Sequence, residues 1–157
     1  MQNLATKLDG AAIEAIEAGL HQAVAETVVT TMKAQNYHWN VTGMAFGPLH
    51  DMFQKIYEDH FEAQDDLSER LRALGCHAEG RLSVHIDRSK ITESDGKIPA
   101  ETMIEILADD QEILASTLAA LADLADKNGD ALTQDIAISR GRTHEKFAWM
   151  LRAHLGR

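Results

Sequence analysis

Among the histidines, acids and amides between positions 50 and 69, four stand at a spacing that could hold a metal ion on nitrogen and oxygen: His50, Gln54, Asp65 and Glu69. His50 and Gln54 stand four apart, as do Asp65 and Glu69, the spacing that stacks side chains on one face of a helix. Taking His50 as zero and roughly 100° per residue, Gln54 falls near 40°, Asp65 near 60° and Glu69 near 100°. All four share one stripe. The apolar residues of the same segment point elsewhere, with Leu49 and Leu67 at about 260°, Phe53 and Leu71 at about 300°, and Ile56 and Leu74 at about 240°. The stripe therefore turns away from the core that its own helix helps to build.

The midpoints of the two pairs lie about 22 Å apart along the helix at a rise of about 1.5 Å per residue, so one chain cannot close a site between them. A second copy laid antiparallel across the stripe can. It brings His50 to the partner subunit's Glu69 and Gln54 to the partner's Asp65, and two-fold symmetry makes two identical sites. The competing reading is a hydrated stripe with no ligand. A site buried within one bundle would call for Glu-x-x-His pairs, and none of the eight histidines has a glutamate three positions before it.

Helices must position these residues. With two prolines, ten glycines and abundant Ala, Leu, Glu and Asp, the chain favours helix nearly throughout and shows no alternating strand pattern. Asp9 is placed to cap the first helix, Gly47 and Pro48 to open the second, Gly75 to stop it, Pro99 to open the third and "DKNGD" to end it. The expected helices span about 10–39, 48–74, 99–126 and 131–155 of one domain covering residues 1–157. Between Cys76 and Ile98 periodicity is lost, leaving a crossover with room for a short helix around Leu82 to Arg88. The expected class is all-α, with the outline of a ferritin-like four-helix bundle whose long crossover joins helices 2 and 3.

Composition excludes other classes. A net charge of −10 argues against a chain that grips nucleic acid through its bulk surface. The one cysteine, Cys76, leaves no internal disulfide and no thiolate metal knuckle. The amino-terminal "MQNLATKLDG" lacks the pattern of an export signal, and no apolar run is long enough for a membrane span, so a cytoplasmic protein is expected.

The segments "NYHWNVTG", "LHDMF" and "AQDDLSERLRALG" together resemble the Dps family, the twelve-subunit mini-ferritins. The family pattern is His-Trp, a second His twelve residues on, an acid four later, an Asp eleven later and a Glu four later. It falls here on His38, Trp39, His50, Gln54, Asp65 and Glu69. The resemblance implies a ferroxidase centre shared by two subunits, with His38 and His50 on one side and Asp65 and Glu69 on the other. There Fe(II) would be oxidised by hydrogen peroxide and the ferric product stored in a dodecameric shell. Imidazole and carboxylate ligands suit iron. Trp39 would lie beside the centre, either passing an electron or filling space at the interface.

Gln54 departs from the pattern, since the family usually has a carboxylate there. A neutral amide should weaken the second iron, with Glu58, one turn beyond, as a poor stand-in. The family also implies an acidic iron entry, for which Asp126, Asp130 and Asp135 near the last turn are the candidates; Asp130 is equally a natural N-cap. His60, near 280°, falls with the apolar residues and reads as a hydrogen-bonded core histidine. His77, His85, His144 and His154 show no ligand spacing. Two further readings remain. One is a nucleoid-packing protein, disfavoured because Lys7 is the sole cation before residue 33 and the carboxyl end adds only Arg152 and Arg157 with His154. The other is an assembly whose centre is impaired by Gln54. DNA binding is expected to be weak or absent.

Overall fold

The computed structural model describes residues 8–157, so Lys7 lies outside the described residues. The helices are α1 (Gly10–Asn40), α2 (Phe46–Ala73), α3 (Leu82–Arg88), α4 (Ala100–Lys127) and α5 (Ala131–Ala153), and no strand occurs among the described residues. Short loops make α1 with α2 and α4 with α5 into helical hairpins; α1 also packs on α4, and α3 lies against α1. The result is an all-α four-helix bundle whose crossover carries one extra short helix.

Local chemistry sets the ends. The Asp9 carboxylate accepts the Ala12 N–H at 2.8 Å and caps α1. α2 begins at Phe46, two residues ahead of the expected 48, because Pro48 in the first turn has no N–H to lose from the helical ladder. It ends at Gly75, whose φ of 85° lets the Cys76 N–H reach the Leu71 carbonyl at 3.0 Å. Gly129, with φ 72°, closes α4 in the same way as the Asp130 N–H returns to the Ala125 carbonyl at 2.9 Å. Asp130 then starts α5 by accepting the Thr133 N–H at 3.1 Å, and Arg70 of α2 donates to its carboxylate at 2.7 Å. One residue thus ends a helix through its backbone N–H, while its buried side chain starts the next and ties it to a third.

The interior is divided. One apolar cluster joins Ile16, Leu20, Leu67, Leu71, Leu118 and Leu121, and another joins Tyr37, Phe53, Ile56, Met103, Leu107 and Leu151. Between them lies a polar layer drawn from α2, α4 and α5. His60 Nδ1–H donates to Asp59 at 3.0 Å, Gln111 Nε2–H to His60 Nε2 at 3.0 Å, and His144 Nδ1–H to Gln111 Oε1 at 2.7 Å. Arg140 closes the ring, donating to His144 Nε2 at 3.3 Å and gripping both Asp59 oxygens at 3.0 and 2.6 Å.

His60, Gln111 and His144 are fully buried. Each acceptor nitrogen in the ring is already met by a donor, so both imidazoles are neutral with the proton on Nδ1. Burial is the chief cause that lowers the pKa of each, and Arg140 adds to it. At Asp59 burial alone would raise the pKa, but the hydrogen bonds from His60 and Arg140 outweigh it and hold the carboxyl well below its usual range. His60 is the bonded core histidine its helical angle predicts. Its partner His144 has no such signature in the sequence.

Candidate metal centre

His38 lies in the last turn of α1 and His50 in the first turns of α2, so the short loop between the helices folds one onto the other. The rings stack with centroids 3.7 Å apart and planes 19° apart. His38 Nδ1–H donates to the His50 carbonyl at 2.8 Å, and His50 Nδ1–H donates to the His38 carbonyl at 2.9 Å. Since a carbonyl can only accept, each ring carries a proton on Nδ1, and in the neutral form its lone pair is on Nε2, the atom left for a metal. The His38 carbonyl is one of the last four of α1, which have no helical donor, so His50 satisfies an orphan while fixing its own ring. Phe46 stacks on His50 at 5.1 Å, and Tyr57 meets His38 edge-on at 5.2 Å and 79°.

Along α2 the other positions follow the stripe. Gln54 is half-buried, and its amide donates to Glu58 Oε1 at 2.7 Å. Asp65 and Glu69 are exposed, about three and four turns beyond Gln54. Among the described residues, no three His, Cys, Asp or Glu side chains of one chain converge as metal ligands would. The two histidines are brought together; the two acids are not brought to them.

Trp39 is 59% exposed, on the rim of an apolar groove between α1, α2 and α3 that Met32, Phe61, Leu82 and Ile86 also line. Phe61 is 69% exposed. It projects at about 20° on the wheel, in the middle of the ligand stripe. Sequence reasoning passed over it, although an aromatic set among acids and opposite its helix's apolar face was the available signal. Of the three turn acids, Asp126 and Asp135 are exposed. Asp130 is buried against Arg70 and Thr133, so its carboxylate serves the fold.

A ferritin-like domain model matches residues 17–157, which defines the class of protein that the bundle belongs to. General stress protein 20U of Bacillus subtilis is 35% identical over 137 residues, 87% of this chain and 94% of that protein. DNA protection during starvation protein 2 of Bacillus anthracis is 32% identical, covering 87% of this chain and 93% of its own. The crystal structure of Dps from Vibrio cholerae, described as a ferritin-like diiron-carboxylate protein, superposes with a TM-score of 0.90 at 30% identity over 94% of this chain and 93% of that one. The chain belongs to the Dps family of mini-ferritins. At the level of the family this means iron binding, iron storage and protection. Among the described residues no helix is long and apolar enough to cross a membrane.

Proposed function

We propose that two copies of this chain pair antiparallel across α2 and oxidise Fe(II) with hydrogen peroxide at two shared centres. Each centre takes His38 and His50 from one chain and the acids corresponding to Asp65 and Glu69 from the other. Dimers then assemble into a twelve-subunit shell that stores the ferric product in the cytoplasm, the whole chain acting as one domain. One observation carries the reading: the half-buried His50 and the exposed Asp65 and Glu69 lie on one outward face of α2, with the exposed Phe61 between them and an apolar groove beside it. An aromatic left in water on a helix face is what a contact with a second copy explains.

The groove position of Trp39 favours an anchoring role at that contact over an electron-passing one. Gln54 and Glu58 serve as weak or outer ligands, and Asp126 and Asp135 draw Fe(II) toward the shell. A nucleoid-packing role is disfavoured by the net charge of −10, which twelve copies would multiply.

The test is complementation. His50→Ala and Asp65→Ala homodimers each have both sites damaged. Dissociated and reassembled together, mixed dimers carry one doubly damaged site and one intact site, so activity should return to about a quarter of wild type for random pairing. No recovery, with mixed assembly confirmed by mass, would end the shared-centre reading. Phe61→Glu should in parallel leave a helical monomer without ferroxidase activity, read by sedimentation and circular dichroism.

A further inference from the structure

A second pair of side chains is prepared as metal ligands are, this one inside the bundle. His144 Nδ1–H is held by Gln111 Oε1 at 2.7 Å, which turns the Nε2 lone pair inward, as the backbone carbonyls do for His38 and His50. The Asp59 carboxylate is oriented by His60 Nδ1–H, which donates to Oδ2 at 3.0 Å. Both ligand groups aim at one cation, the guanidinium of Arg140. Its Nη2 lies 2.6 Å from Asp59 Oδ2 and 3.3 Å from His144 Nε2, and its Nη1 lies 3.0 Å from Asp59 Oδ1. The guanidinium fits incompletely, because Arg140 Nε is buried with no hydrogen-bond partner among the described residues. A buried arginine that matched its surroundings in shape would have that donor met as well. The surroundings match its charge better than its fork of donors.

We propose that the space filled by the Arg140 guanidinium is a latent site for a divalent transition cation, with Asp59 and His144 as its protein ligands and water completing the shell, and that Arg140 keeps it closed. The guanidinium stands where the ion would be, and its fixed charge repels a second cation at that distance. The Asp59 side chain is 28% exposed, so with the guanidinium gone an ion and its waters reach the carboxylate from one side. The two ligands, now 2.6 and 3.3 Å from Nη2, then close in to about 2.0–2.2 Å. The imidazole donor selects cobalt, zinc or iron over magnesium and calcium. By holding a permanent charge at mid-bundle, Arg140 leaves the outer face of the chain as the place where metal is taken up. The site lies within one chain and stands whether or not two chains share the outer centre.

The experiment places Arg140→Ala in a His50→Ala background, which disables the outer histidine pair, and titrates the full chain with Co(II) while recording visible absorption and circular dichroism. One Co(II) per chain should bind. Its absorption should vanish when Asp59→Asn is added, and free guanidinium, well below denaturing concentration, should displace it. Arg140→Lys in the same background keeps a built-in cation and should bind no Co(II) within the bundle. Co(II) at a hundredfold excess over its dissociation constant should raise the melting point of Arg140→Ala by about 5–10 °C and leave Arg140→Lys unmoved. If Arg140→Ala does not fold alone, Co(II) or guanidinium should restore its helical circular dichroism. A folded Arg140→Ala that binds no Co(II), binding that survives Asp59→Asn, or a chain that neither cation refolds would overturn the latent site and leave Arg140 a structural ion-pair partner only.

Discussion

His38 and His50 hold each other by reciprocal hydrogen bonds, each ring donating from Nδ1 to the other's backbone carbonyl at 2.8 and 2.9 Å. The pair is preset before any ion arrives, which removes part of the ordering cost of binding. His50→Phe keeps the stack and removes one lone pair. It should weaken Fe(II) binding by at least about tenfold, and lower stability by only about 1 kcal/mol for the lost bond to the His38 carbonyl, since His50 is half-exposed. Anaerobic titration calorimetry and a melting curve check both halves of the statement.

Gln54→Asp should tighten the second iron and speed oxidation by restoring a charge at the site. In the apo protein the new carboxylate faces Glu58 at i, i+4, so it should cost a few tenths of a kcal/mol, about 0.2–0.5, until metal binds. Unchanged stoichiometry and rate would show that position 54 does not govern the second iron.

The polar layer predicts a pH dependence. His60 and His144 are neutral in the fold with lowered pKa values, while in the unfolded chain each titrates near 6.5. The unfolded state therefore gains protons first as pH falls, and stability present above 6.5 is lost below it. The slope should approach about 1.4 kcal/mol per pH unit for each histidine, or about 2.7 for both. Asp59 adds to the loss only near and below its unfolded value of 3.8, since its folded pKa is also lowered. Urea titrations between pH 7.5 and about 4.5 measure the first window.

Gln111→Leu should cost about 2–4 kcal/mol, because it leaves the His144 Nδ1–H without an acceptor and His60 Nε2 without a donor in a dry core. A cost below about 1 kcal/mol would mean that the two histidines repartner without it.

DNA protection should be chemical. With iron present the protein should lower peroxide-driven strand breakage while leaving DNA mobility unchanged in a gel at about 0.15 M salt. A clear shift would assign the amino-terminal segment or an unseen basic surface a binding role.

Helix periodicity made the bundle legible, since Leu49, Phe53, Ile56, Leu67, Leu71 and Leu74 all lie buried on one face of α2. Spacing also put His50, Gln54, Asp65 and Glu69 on the opposite, wetter face. The pairing of His38 with His50 was not readable from angles, because it depends on how the loop after Asn40 folds α2 back on α1. The polar layer was half visible. His60 betrayed itself among apolar residues, but Gln111, Arg140 and His144 join it from helices whose rotations only packing decides. Asp130 was ambiguous in sequence, and Arg70, sixty positions earlier, resolves its role in the fold.

The layer at mid-bundle also works as a ruler. Leucines in the two apolar clusters can trade neighbours at modest cost, so apolar packing alone ranks neighbouring helix registers closely. Sliding the α4–α5 hairpin along α2 by one turn, about 5.4 Å, would carry Gln111 and His144 away from His60 into hydrocarbon and part Arg140 from Asp59. Each stranded group would cost about 1–3 kcal/mol, more for the charges. Only one alignment of the hairpins satisfies the ring, and that alignment fixes the height at which the outer stripe of α2 meets a second copy.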